Sequence, residues 1–311
     1  MAAFHQPVML AEVIQSLRCR RGGIYVDGTL GGGGHAQAIL ESTTPDGLLI
    51  GIDRDDDALF ESEKRLQPFG RRKILIKGNF ADIGNILTNL NIGKVDGILL
   101  DLGVSSHQLD TADRGFSFSL DAPLDMRMDQ GNRYSAYDLV NLSPEKELRQ
   151  VIRDYGEEPM AGRIARAILA KRASAPIERT AELADVVCRA VRPQGGHKKI
   201  HPATRTFQAI RMAVNQELPN LRRAIEGGID RLNQGGRLSI ISFHSLEDRM
   251  VKEAFRSWEG RCHCPPSMPI CQCQREARLM ILTRKPLRPE GDERDTNPRA
   301  RSARLRTAEK I

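Results

Sequence analysis

Aromatic side chains are scarce in this sequence. One Trp, four Tyr and nine Phe make up 5% of its 311 residues. That is too few for a broad platform on which nucleic-acid bases stack. Apolar runs are short as well. No stretch nears the roughly 20 residues that cross a bilayer, so no membrane segment is expected. The opening MAAFHQPVMLAEV lacks a basic start followed by a long apolar run, so no secretory leader is expected. Cysteine numbers only six, four of them crowded into 262–273, which excludes a chain-wide disulfide framework. There is no internal repeat and no low-complexity tract. These absences point to a reduced, cytoplasmic globular protein.

What is present is ordinary for such a protein: 40% hydrophobic and 28% charged residues. Lys+Arg number 47 against 40 Asp+Glu, a formal charge of +7. A basic surplus favours a polyanionic partner, because neutralised phosphates release counterions. The surplus is modest, and basic enzymes without nucleic-acid partners share it.

The first hundred residues alternate strand and helix signals. Short β-branched and leucine runs occur at 23–27, 48–53, 74–77 and 95–101, with helical patterns between them. Continuous apolar strands separated by helices predict an α/β domain with a parallel sheet covered on both faces. From about Pro144 to Val191 the rhythm is helical. Leu148, Val151, Ile152 and Tyr155 fall at i, i+3, i+4 and i+7. Ser143-Pro144 reads as an N-cap and first helical residue, and Thr180 as a later N-cap. One long helix is predicted over about Thr204–Leu232, then a fifth strand at 237–243 and another at 278–282. Residues 102–236 far exceed the dozen or so that a crossover between parallel strands needs. The reading is one α/β domain, 1–110 and 204–311, interrupted by a helical subdomain at 111–203. The arginine-rich segment Asn297–Arg306 reads either as a solvated basic tail or as a phosphate-contacting one.

The first strand runs into Asp27-Gly28-Thr29-Leu30-Gly31-Gly32-Gly33-Gly34-His35. Glycines let a backbone approach a ligand closely, and the next helix presents free N–H groups. Asp53 ends the second strand twenty residues after Gly33, where a carboxylate can accept ribose hydroxyls. Together these predict an adenosine-containing cofactor. NAD and S-adenosylmethionine both fit that pattern. Asp27, just before the glycines, favours the second, since it suits a cationic methionine end and would repel a pyrophosphate. Asn79-Phe80, after the third strand, is placed to cover an adenine.

Several long runs then resemble one family. They are Asp27 through His35, Gly51-Ile52-Asp53-Arg54-Asp55, Asp96 through Ser106, Arg114-Gly115-Phe116-Ser117-Phe118, and Pro123 through Asp129. His201 through Ala209, Ser239 through Arg249, and Asn297 through Ser302 complete the set, which spans nearly the whole chain. The chain resembles the RsmH family, formerly MraW, of small-subunit ribosomal RNA cytosine-N4-methyltransferases. The resemblance implies a Rossmann-like class I S-adenosylmethionine-dependent methyltransferase with an inserted helical subdomain. It implies methylation of a cytidine in the decoding region of 16S rRNA, on assembled small subunits. It implies cofactor contacts at Gly33, Gly34, His35, Asp53, Phe80, Asp101 and Gln108. A homodimer is compatible with it, although the sequence does not fix the oligomeric state.

Amino-methyltransferases often end the fourth strand with Asp/Asn-Pro-Pro-aromatic; here the run is Asp101-Leu102-Gly103-Val104. The acid is kept and the rest is not. Asp101 is therefore the candidate catalytic residue, serving either the amine or the cofactor's ammonium. His244 and Glu247, after the fifth strand, are candidate proton acceptors, and Arg249 a phosphate ligand; the alternative is that this segment only starts a helix. His201, Arg205 and Arg211 are candidate RNA contacts, or else a solvated helix face. Cys262, Cys264, Cys271 and Cys273 form a C-x-C…C-x-C arrangement, read either as a structural zinc site or as free thiols. The rival functions are an NAD-dependent oxidoreductase, disfavoured by Asp27, and a non-enzymatic RNA-binding assembly factor, disfavoured by the intact glycine run with its acids.

Overall fold

Each apolar run of the first hundred residues forms a strand, and the backbone hydrogen bonds of one are completed by its neighbours. In the computed structural model, which describes residues 7–191, 201–260 and 276–311, β1 is Ile24–Asp27, β2 Leu48–Asp53, β3 Lys73–Lys77 and β4 Val95–Asp101. β5 is Leu232–Ser242, β6 Leu279–Ile281 and β7 Arg304–Lys310. They make one seven-stranded sheet in the order β3-β2-β1-β4-β5-β7-β6. β1 to β5 pair in parallel, while β7 runs antiparallel to both β5 and β6. This is a Rossmann-like sheet, parallel through β5 with an antiparallel β7 beside it.

The sheet is covered on both faces, which is why its central strands are apolar throughout rather than alternating. One apolar layer gathers Ile50, Ile98 and Ile240 with Ile225 and Ile229 from the helix Glu217–Arg231 and Phe255 from the helix Ser245–Trp258. The other gathers Tyr25, Leu49 and Leu99 with Val13 and Leu17 from the helix Leu10–Leu17 and Ile39 and Leu40 from the helix Gly34–Ser42. Strand order reverses between β1 and β4, so the connections leave their carboxyl ends toward opposite faces. A crevice opens there, the usual ligand site of such sheets. No helix among the described residues is long and apolar enough to cross a membrane.

The chain divides into two compact units: Met1–Gly103 with Leu218–Ile311, and Val104–Glu217. The second is helical, built on Leu148, Ile152, Ile164, Ile168, Leu183 and Val187 at helical spacing. Its limits enclose the 111–203 span expected from sequence. The helix Thr204–Val214 joins it because Phe207, Ile210 and Val214 pack into its core.

Three expectations need correction. The long helix over Thr204–Leu232 is two helices, Thr204–Val214 and Glu217–Arg231. Between them Gln216 has φ 50°. Asn215 there accepts the Met128 N–H at 2.8 Å and donates to the Met126 carbonyl at 2.7 Å, serving a loop instead of a helix surface. The basic C-terminal segment is not a solvated tail. Its last part is β7, inside the sheet, with Leu305 and Ala308 fully buried. Arg306 is itself buried, because Asp248 pairs with it at 2.6 Å. Finally, the helix after Ser143 begins at Glu145 with Pro144 as N-cap, one residue later than expected, and the later helix begins at Thr180 itself with Arg179 as N-cap, one residue earlier than expected.

Candidate active site

Asp27 closes β1 and is 1% exposed. Its Oδ1 accepts the Thr29 N–H at 3.1 Å, while its Oδ2 is buried without a hydrogen-bond partner. Burial pushes its pKa up to about 7, against the Thr29 hydrogen bond and with help from the charge of Asp53. After it the chain turns sharply through the glycines, with Gly31 at φ 50° and Gly33 at φ 76°. Gly33 is the N-cap of the helix Gly34–Ser42, whose first N–H groups therefore face the crevice edge.

Asp101 closes β4, the neighbouring strand. Its backbone N–H donates to Thr29 Oγ1 at 2.6 Å. Its Oδ1 is also buried without a partner, and its Oδ2 lies 3.7 Å from His35 Nδ1. Burial first, then the charges of Asp27 and Glu247, hold its pKa well above the usual carboxylate range. His35 is fixed from its other nitrogen, Nε2, 2.9 Å from the Val8 carbonyl.

Asp53 closes β2. Its Oδ2 accepts the Gly31 N–H at 2.8 Å and its Oδ1 the Asp55 N–H at 3.0 Å. It thus holds the glycine turn from below. Each of its oxygens keeps a lone pair for a hydroxyl. Burial raises its pKa, against those backbone hydrogen bonds. Phe80 follows β3, where Asn79 caps the short turn Phe80–Asp82 by accepting the Ala81 N–H at 3.0 Å. The Arg54 guanidinium sits 6.0 Å from the Phe80 ring centre.

Gly33, Gly34, His35, Asp53, Phe80 and Asp101 stand at strand ends and the helix start along one edge of the sheet unit. The two orphaned oxygens give that edge its chemistry. A buried carboxylate oxygen without a donor is costly, and a cation or a protonated donor relieves it. Two such atoms, on adjacent strand ends, fit a ligand carrying more than one positive centre. S-adenosylmethionine carries a sulfonium and an ammonium; a pyrophosphate against either oxygen would be repelled once that carboxyl ionised.

The remaining sequence candidates are placed elsewhere or otherwise employed. Gln108 lies in the helical unit, buried, where its Oε1 accepts the Ser105 N–H at 3.0 Å in a capping box. His201 and Arg205 are in that unit too. The His201 ring stacks on Phe118 at 4.5 Å, and exposed Arg205 donates to the Glu157 carbonyl at 3.2 Å. Arg211 forms a two-bond ion pair with Glu217, both distances 2.8 Å. Glu247 is buried, accepts the Phe243 N–H at 2.8 Å and caps the helix Ser245–Trp258 together with His244. That start-of-helix work is the plainer of the two readings of this segment. Arg249 is exposed on the same helix. Cys262, Cys264, Cys271 and Cys273 lie outside the described residues. Thr29 escapes a reading of the sequence, since nothing in a D-G-T-L-G run signals that its hydroxyl joins two strands.

A profile of the MraW methylase family matches residues 2–311. A relative from Syntrophus aciditrophicus (strain SB), described as ribosomal RNA small subunit methyltransferase H, is 62% identical over 99% of this chain and 98% of its own. Relatives with the same description from Syntrophotalea carbinolica and Geotalea uraniireducens are 55% and 54% identical. They cover 99% and 100% of this chain, and 98% and 100% of theirs. The chain belongs to the MraW methylase family.

Proposed function

We propose that this protein methylates the exocyclic N4 of a cytidine in the decoding region of small-subunit ribosomal RNA, acting on assembled subunits. The relatives' description supports small-subunit ribosomal RNA as the substrate class. The single observation that carries the chemistry is the pair of buried, unpartnered carboxylate oxygens on Asp27 and Asp101.

S-adenosylmethionine, when bound, supplies an electrophilic methyl on a sulfonium. Gly33, Gly34 and His35 at the helix start, with Asp53 toward the ribose and Phe80 toward the adenine, form its binding set. Asp27 faces its cationic methionine end. Asp101 then serves the incoming amine. The N4 lone pair is delocalised into the ring, so the nitrogen attacks only when pyramidalised and aligned, which positioning can supply. A carboxylate accepting an N4–H stabilises the positive charge that develops on nitrogen. Its raised pKa suits Asp101 to hold the proton released when the N–C bond has formed. The cytosine must leave its stack to arrive, at some energetic cost. His201, Arg205 and Arg249 remain the proposed RNA contacts, with His244 at the rim.

The test is labelled methyl transfer from S-adenosylmethionine to unmodified small subunits, followed by nucleoside mass spectrometry. N4-methylcytidine is expected. Methyl on carbon 5 or on ribose overturns the assignment. Asp101→Asn is expected to lose turnover by at least a hundredfold; full turnover in that variant would remove its catalytic role.

A further inference from the structure

A second concavity lies away from the crevice, within the same unit, between the helix Ser245–Trp258 and the β6–β7 edge. Its volume is about 70 Å³, enough for a small oxyanion with its water. Lys252, Arg256, Arg284 and Arg306 supply four cations to its wall, against the single carboxylate of Glu259. Phe255 and Ile281 form an apolar floor.

The cations are not equally committed. Arg306 is buried and satisfied by Asp248, and it donates to the Arg284 carbonyl at 3.3 Å. It therefore fixes the wall on which Arg284 stands. Arg284 approaches Glu259 only to 3.8 Å and is largely exposed. Lys252 and Arg256 have no carboxylate partner among the described residues, although they sit one turn apart with like charge. Like charges at i, i+4 are mildly destabilising by themselves. An anion bridging them would reverse that sign.

The helix supplies a direction as well. Arg249, Lys252 and Arg256 fall at i, i+3 and i+7, on one stripe. The helix starts just after β5, at the crevice edge of the sheet. At 1.5 Å per residue, Lys252 stands about 10 Å and Arg256 about 16 Å along it from Ser245. The cationic stripe thus begins beside the reacting edge and ends in the concavity.

We propose that this concavity binds a backbone phosphate of the RNA substrate, a few nucleotides from the base that enters the crevice. The stripe leads the strand to it. Among the described residues the wall carries no exposed ring on which a nucleobase would stack, so the site reads phosphate and no sequence. This inference rests on the RNA-methylating function proposed above and adds where the strand is held.

The test compares wild type with Lys252→Gln/Arg256→Gln, and with a control pair, Arg21→Gln/Arg71→Gln, exposed before β1 and β3. Binding to small subunits is measured without cofactor over a salt series, so the result does not depend on methyl transfer. The concavity pair is expected to weaken binding about tenfold near physiological salt. It is also expected to flatten the slope of log affinity against log salt by about 0.7 for each phosphate that is no longer neutralised. KM for subunits should rise in step, with S-adenosylmethionine affinity reporting an intact fold. Unchanged affinity and slope would overturn the proposal, as would an equal loss in the control pair. Binding of inorganic phosphate that leaves subunit binding undisturbed in wild type would make it a free-phosphate site and overturn it too. Should wild type bind subunits with the expected difference yet transfer no methyl, the function fails and the phosphate site stands.

Discussion

The hydroxyl of Thr29 accepts the backbone N–H of Asp101 at 2.6 Å, and the Thr29 N–H reaches Asp27 at 3.1 Å. One short side chain thereby ties the acid-bearing ends of β1 and β4. Thr29→Val keeps the shape and removes the hydroxyl, leaving the Asp101 N–H without its acceptor. The expected cost is about 1–3 kcal/mol of stability. S-adenosylmethionine affinity should fall about tenfold, because the strand end that carries Asp101 loses its tie to the glycine turn. Thr29→Ser should restore both. Calorimetric binding and thermal melting check this; a Val variant that binds as wild type would reduce Thr29 to a filler.

Cofactor binding should depend on pH through the same acids. Burial raises the pKa of Asp27 to about 7 and that of Asp101 well above the usual range. Between the unfolded value near 4 and about 7, the ligand-free folded chain therefore holds protons that the unfolded chain has lost. These groups make its stability fall as pH rises through that window. A cationic ligand favours the ionised acids, so binding expels protons and affinity should rise from pH 6 toward pH 8. Titration calorimetry in two buffers of different ionisation enthalpy measures the protons released. The ligand's own amine also titrates near there, so the comparison is with Asp27→Asn, which should release fewer. Equal release from both proteins would mean that Asp27 is already ionised before binding.

Gly33 is required by its backbone, not by its smallness alone. At φ 76° any other side chain is strained, and an added Cβ would stand 3.0 Å from Ser62 Oγ. Ser62 cannot retreat freely, because its hydroxyl donates to the Gly31 carbonyl at 2.7 Å. Gly33→Ala should thus disturb the glycine turn itself and weaken cofactor binding more than tenfold. The double variant Gly33→Ala/Ser62→Ala relieves the contact and not the strain, so it should recover only part of the loss. Full recovery would assign the whole effect to crowding.

The parallel core was legible because its strands are buried on both faces, and continuous apolar runs such as Leu48–Asp53 have no other economical home. The crevice was legible for the same reason: Asp27, Asp53 and Asp101 each end such a run, and strand ends are where the sheet meets ligand. What failed depends on distant partners. Arg306 looks like a solvent residue in sequence, because Asp248, more than fifty residues away, is what pairs with its charge when it is buried. Asn215-Gln216 sits in a helical pattern, and only the Met126–Met128 loop that Asn215 serves shows why the helix stops. Thr29 has no sequence signature, since its role is a contact across 72 residues.

Asp248 pairs with two arginines of β7. Its carboxylate takes Arg306 at 2.6 Å and Arg304 at 3.1 Å, with Arg306 all but buried. Burial alone would raise the Asp248 pKa, but the hydrogen bonds and charges of Arg306 and Arg304 outweigh it and hold the group below the usual value. A depressed acid contributes stability that is fully present above pH 4 or so and disappears as pH falls through the folded value. Asp248→Ala leaves the Arg306 charge buried and unpaired, which costs about 3–5 kcal/mol. Melting temperature should drop by about 6 °C or more, and the acid-dependent part of stability should vanish with it. Asp248→Leu/Arg306→Met removes both charges and should recover most of the loss near neutral pH. If that double variant melts as low as Asp248→Ala, the ion pair is not what keeps β7 in the sheet.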